Sequence, residues 1–319
     1  MIECEGLTRY YGTFAAVRDV NLNIPRGAIC ALTGPNGAGK STIMRMLCTL
    51  LTPTLGRARI AGRDVVRDTI GVRRLIGYLP ETFPLYDDML VEKYLQFFAK
   101  VYGLDRDTAK ARVEDFLKRL GLTEKRDAKI QTLSRGMRQR LGVAKSFLHD
   151  PEVVFLDEPA SGLDPVARTE LREFLKYQQH LGKTVVVSSH VLKELADFCS
   201  HLAIVQSGRL VEFGPIGGAE GVLAKYAGHS LSGRRYALRV LRDAARLEMF
   251  LTGIAGPETP ANLVRRDLNF TFEFPGGEEA AAALLGKITA AGFLVAQFTP
   301  EEPDLEAVYR RAAGSGGSD

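Results

Sequence analysis

The nine residues GPNGAGKST, 34–42, are of the right types and spacing to hold a polyphosphate. They leave an apolar run, AICALT, and enter a helical pattern, KSTIMRMLCTLL, the context that gives G-x-x-x-x-G-K-[ST] its physical meaning. Glycines in such a loop let backbone N–H groups turn inward around phosphate oxygens. The candidate cradle is therefore Gly34, Pro35, Asn36, Gly37, Ala38, Gly39, Lys40, Ser41 and Thr42. Lys40 would reach the β and γ phosphates of a nucleoside triphosphate, and the Ser41 hydroxyl would take one Mg²⁺ position. A second stretch, VVFLDEP, has four apolar residues that would fix Asp157 at the carboxyl edge of a sheet. Asp157 is expected to hold the Mg²⁺ shell through water. Glu158 is placed to orient or deprotonate the water that attacks the γ-phosphate. His190 ends a third apolar run, TVVVSSH, and is the candidate γ-phosphate contact. LSRGMRQR poses a puzzle, since Ser134 and Gly136 at the start of a helix form a second anion site in a chain that already has a better one.

These residues need elements to position them. The opening 26 residues or so read as short alternating strands broken by turns, and RARIAGRDV as a hairpin-type return. IGYLP, VVFLD and TVVVSS read as further strands. Between 82 and about 126 the period changes, and VEKYLQFFAKVYGL and DTAKARVEDFLKRLGL show apolar residues three and four apart. PVARTELREFLKYQQHLG and KELADFC continue as helices, and HLAIVQSGRLVEFG closes as a hairpin. Apolar strands alternating with helices imply a mostly parallel sheet covered on both faces. The expected division is a domain over 1–215 with a helical subdomain at about 82–145, a Gly-rich linker at 216–233 and an accessory domain at 234–313. Residues 314–319 are expected to form a mobile tail. The order strand, helix, strand, strand, helix, strand, helix suggests that the accessory domain is a small ferredoxin-like α+β unit.

Composition narrows the partners. Among 319 residues, 42 Lys and Arg face 38 Asp and Glu, a formal charge of +4. That excess is too small to argue for nucleic acid. The four cysteines have no metal-ligand spacing, which suits a reducing compartment. No apolar run approaches the ~20 residues that span a bilayer, and the start has no charged-then-apolar leader. The expected place is the cytoplasm.

Taken together, the glycine loop, LSRGMRQR, VVFLDEP, SGLD and SSH, in this order, resemble the ATP-binding subunit of ABC transporters over residues 1 to about 215. The resemblance implies a P-loop NTPase-type α/β fold, the ABC ATPase domain with its helical subdomain. It also implies ATP and Mg²⁺ as ligands, and it resolves the puzzle. In that family two copies face each other head to tail, so Ser134 and Gly136 would cap the nucleotide held by the partner's loop. Tyr11 matches the aromatic that stacks on adenine, with Tyr10 the alternative and simple packing the competing account. Asp164 matches the residue that links the two sites across the dimer. TFPLYDDMLVEKYLQFF matches the region that receives a multi-spanning membrane permease, although its aromatics could equally be core.

Two positions depart from the family pattern. Glu81 stands where glutamine is usual, still an oxygen ligand for Mg²⁺ but with added negative charge beside Asp157 and Glu158. Arg135 and Met137 replace a glycine and the glutamine of the LSGGQ signature. The C-terminal unit is similar to the extension of the drug, lipid and polysaccharide exporter branch. The implied role is to power export, from the inner face of the cell membrane. The alternative is an ABC ATPase that does no transport, acting in assembly, translation or repair. Against it stand the single glycine loop and the lack of a long heptad-rich insertion.

Overall fold

The computed structural model describes residues 1–189, 198–217, 221–222, 234–254 and 259–300. These divide between Ile216 and Gly217 into two compact units.

In the first unit, β1 (Ile2–Tyr11) and β2 (Phe14–Ile24) are long antiparallel strands rather than the short broken ones the opening suggests. Turn-forming residues inside them are absorbed as register shifts, so the chain bends without leaving the ladder. With β4 (Leu55–Ile60) and β5 (Arg63–Asp64) they form a four-stranded sheet in the order β2-β1-β4-β5. The second sheet contains β3 (Ile29–Thr33), β6 (Ile76–Leu79), β7 (Val153–Asp157), β8 (Thr184–Ser189), β9 (His201–Gln206) and β10 (Arg209–Pro215). Its order is β10-β9-β3-β8-β7-β6, and every pairing is parallel except that of β10 with β9. Every residue of β3, β7 and β8 is buried, as a sheet covered on both faces requires. All four cysteines are buried free thiols, and desolvation pushes those of Cys4 and Cys30 up to about 12.

Helix α1 (Lys40–Leu47) follows β3, and α2 (Thr69–Leu75), which the sequence reading passed over, leads into β6. Then come α3 (Val91–Val101), α4 (Arg106–Arg119) and α5 (Arg135–Phe147), which pack on one another. Asp105 caps α4 by accepting from the N–H groups of Asp107 and Thr108. Helix α6 (Pro165–His180) lies between β7 and β8 in sequence. Arg140, buried on α5, donates to the Leu120 carbonyl at 2.8 Å and pairs with Glu170 on α6. That arginine fixes the helical subdomain to the body that carries the parallel sheet. The helix expected at KELADFC lies outside the described residues.

The second unit runs β11 (Arg234–Val240), α7 (Ala244–Thr252), β12 (Ala261–Arg266), β13 (Asn269–Phe274), α8 (Glu278–Ala290) and β14 (Val295–Pro300). Its strand order, β12-β13-β11-β14, with every pair antiparallel, is that of a βαββαβ unit. Phe270, Phe272 and Phe274 alternate into a core with Tyr236, Leu238, Leu247 and Leu284. The final helix expected near the C-terminus and the tail at 314–319 lie outside the described residues.

Candidate functional site

The glycine loop leaves the carboxyl end of β3 in the middle of the parallel sheet, where open α/β sheets leave a crevice for ligands. Gly34 sits there at φ +156°, and a Cβ on it would lie 2.1 Å from the Val205 carbonyl oxygen. The loop can take this path only without a side chain at 34. Gly39 then enters α1 at φ +109°, and its side-chain-free cap leaves the first N–H groups of the helix open to an anion.

Lys40 is 6% exposed. Its ammonium donates to the carbonyls of Gly34 at 2.7 Å and Pro35 at 3.2 Å, which leaves one of three N–H donors for a ligand. Desolvation lowers its pKa, while Glu158, Asp157 and Glu81 act in the opposite direction. The base of the loop therefore carries one buried positive charge facing three carboxylates, an arrangement suited to a phosphate-bound cation.

A cleft of about 500 Å³ opens over this loop. It gathers Tyr11, Asn36, Gly37, Ala38, Gly39, Lys40, Ser41, Thr42, Glu81, Asp157 and Glu158, all picked out by sequence. Phe14, Ala16 and Ser161 complete the lining and were not anticipated. Tyr10 is absent from it. Tyr11, 45% exposed, has the Arg9 guanidinium 5.0 Å from its ring centroid, so the ring is held at the rim by a cation on one side.

Asp157 ends β7 and is 2% exposed. The Ser188 hydroxyl on β8 donates to its carboxylate at 2.5 Å and accepts the Glu158 N–H at 2.9 Å. One fully buried hydroxyl thus orients the first acid and the backbone of the second. Glu158 takes φ +51°, a left-handed conformation that costs a residue with a Cβ about 1–3 kcal/mol. The turn breaks the strand there, and Glu158 becomes part of the cleft lining. Ser188 went unassigned by sequence; its only signal there was a hydroxyl in a valine run.

Ser134, Gly136 and Asp164 are not part of the cleft lining. Ser134 caps α5 by accepting the Met137 N–H at 3.3 Å, and Asp164 caps α6 by accepting the Ala167 N–H at 2.9 Å. Gly136 lets the first turn of α5 approach the turn 161–163, since a Cβ there would lie 3.3 Å from Leu163. His190 lies outside the described residues. Ser41, Glu81 and Asp157, three residues with oxygen ligands to offer, line one cleft beside the glycine loop. Among the described residues no group of three or more His, Cys, Asp or Glu side chains could cage a metal alone. Such a donor set fits Mg²⁺, which shares its ligands with substrate phosphates and water.

The family model described as "ABC transporter" matches residues 17–161. The bacitracin transport ATP-binding protein BcrA of Enterococcus faecalis is 31% identical over 318 residues, covering 99% of this chain and 97% of that protein. The daunorubicin resistance ATP-binding protein DrrA3 of Streptomyces coeruleorubidus is 30% identical over 318 residues, covering 98% of this chain and 96% of its own. Among solved structures, the dimeric bacterial ABC transporter cassette MJ0796 superposes with a TM-score of 0.63 at 26% identity, covering 68% of this chain and 100% of that one. A glycine loop shaped to receive phosphates, two strand-end acids and full-length likeness to transport ATP-binding proteins lead to one conclusion: the chain belongs to the ABC transporter family as an ATP-binding, ATP-hydrolysing subunit.

Proposed function

We propose that two copies of this chain, bound head to tail, use ATP to drive export through a separate multi-spanning permease at the inner face of the membrane. The observation that supports this best is the division of the site. The cleft of one chain collects the loop and the acids but leaves out Ser134 and Gly136 at the start of α5. A second copy turned about would place its own helix start over the bound triphosphate, where N–H groups and the Ser134 hydroxyl meet negative charge.

Within that site Tyr11 offers its ring to adenine, and residues 34–42 wrap the phosphates with Lys40 on β and γ. Glu158 accepts the proton of the attacking water, with Asp157 held in place by Ser188. Ser41, Glu81 and Asp157 would hold Mg²⁺, which neutralises charge developing on the phosphates. Asp164, on the exposed turn before α6, would face the partner. His190 is kept as the γ-phosphate contact. No nucleic acid enters the scheme.

Full-length likeness to proteins named for bacitracin transport and daunorubicin resistance favours export and extends over the C-terminal unit. Among the described residues no helix is long and apolar enough to cross a membrane, which is in keeping with a cargo path supplied by a partner. The aromatic stretch before and along α3 offers the contact. Tyr94 is buried, but Tyr86 and Phe97 remain 53% and 42% exposed, packed edge to face at 6.0 Å. A partly open aromatic surface of this kind suits an inserted helix.

Replacing Tyr86 and Phe97 together by Asp should leave ATP binding intact and abolish co-purification with the permease from gently solubilised membranes. Unaltered recovery of the membrane partner would remove the docking assignment. Recovery of soluble partners alone with the unmodified protein would favour the non-transport reading.

A further inference from the structure

Arg135 occupies a signature position where the family pattern has glycine, and its exposed side chain folds back onto its own chain. Its guanidinium donates to the Ser161 hydroxyl at 3.3 Å. It also lies close beside Gly162, where a Cβ would come within 2.9 Å of Nε and 3.2 Å of Cζ. One residue on, Gly136 packs against Leu163, which is buried. The first turn of α5 is therefore clasped to the turn 161–164 at two adjacent points. That turn has two further connections. Ser161 lines the cleft of its own chain, and Asp164 caps α6.

We propose that Arg135 is a positioning residue that locks the first turn of α5 to the rim of its own chain's ATP cleft. This rests on the shared-site dimer set out above. In that dimer, α5 of one chain covers the nucleotide of the other, while Ser161 borders the nucleotide of its own. A planar, five-donor guanidinium spanning Ser161 and Gly162 makes the two move as one body. ATP in one cleft then sets the position of the helix start offered to the second cleft. The link requires two discrete contacts, the hydroxyl at 161 and the side-chain-free backbone at 162, and a lysine's single ammonium cannot make both at once.

The test uses the full chain carrying Glu158→Gln, so that ATP persists, and follows ATP-dependent dimerisation by light scattering. Arg135→Ala and Ser161→Ala should each raise the ATP concentration for half-maximal dimerisation about 5-fold, the low end of ordinary coupling between sites. The double variant should do no more than either single one, because the link needs both contacts and either change breaks it. Arg135→Lys should behave like Arg135→Ala. Additive effects, or a loss with Arg135→Ala that Ser161→Ala does not share, would overturn the proposal and assign Arg135 to direct contact with the partner's nucleotide. If the Glu158→Gln chain itself fails to dimerise with ATP, the shared-site reading falls and the proposal with it. Normal dimerisation in all variants overturns the Arg135 proposal alone.

Discussion

Glu158→Gln is expected to cut kcat for ATP hydrolysis by about 100-fold or more, the lower range for losing a positioned general base. ATP should still bind. The amide has nearly the same size and shape as the carboxylate. The contact that fixes the turn is made by the backbone N–H of residue 158 to Ser188 and survives the change. What disappears is the capacity to accept the proton of the attacking water while it bonds to phosphorus. Phosphate release under saturating ATP, beside equilibrium binding of ATP to the same preparation, separates the two effects. Near-normal turnover would show that the proton goes elsewhere. His190 would then be the first alternative to examine.

Lys40→Ala is expected to weaken ATP binding on the order of 100-fold, about 3 kcal/mol for losing charge-assisted bonds to the phosphates in a dry site. The loss has a second component in this loop. Lys40 also closes the cradle on itself through the Gly34 and Pro35 carbonyls, and alanine leaves both without that donor. With the cation gone, Asp157, Glu158 and Glu81 would face incoming phosphates as uncompensated negative charge. Glu81 sharpens this, because a glutamine in its place would add no charge. A titration of ATP against the variant reads the effect, and affinity within a few-fold of the unmodified chain would show that the backbone cradle alone suffices.

The parts of this site that sequence disclosed are those held within one short segment. Residues 34–42 and the pair Asp157 and Glu158 are legible because strand, turn and chemistry fall in consecutive residues. The parallel sheet was legible for a related reason, since strands buried on both faces read as unbroken apolar runs. What escaped depends on residues distant in the chain. Ser188 reaches Asp157 across neighbouring strands, and nothing local distinguishes it from Ser189. Arg135 reads as a mere loss of glycine until α5 and the turn after β7 are brought together. The opening strands were underestimated because turn formers inside them look like breaks, whereas the ladder tolerates them as irregularities.

The most direct test of the account is complementation between two inactive chains. One carries Lys40→Ala, and the other Ser134→Glu, which sets a negative charge against the partner's γ-phosphate while suiting a helix start. Co-expressed with different tags and mixed at random, half of the dimers would hold one intact site, with the loop from one chain and the α5 start from the other. Activity should then recover to roughly a quarter of the unmodified level, where each chain alone shows almost none. A mixture no more active than its parents, although heterodimers are captured through both tags, would contradict the central claim that each ATP site is completed by a second copy.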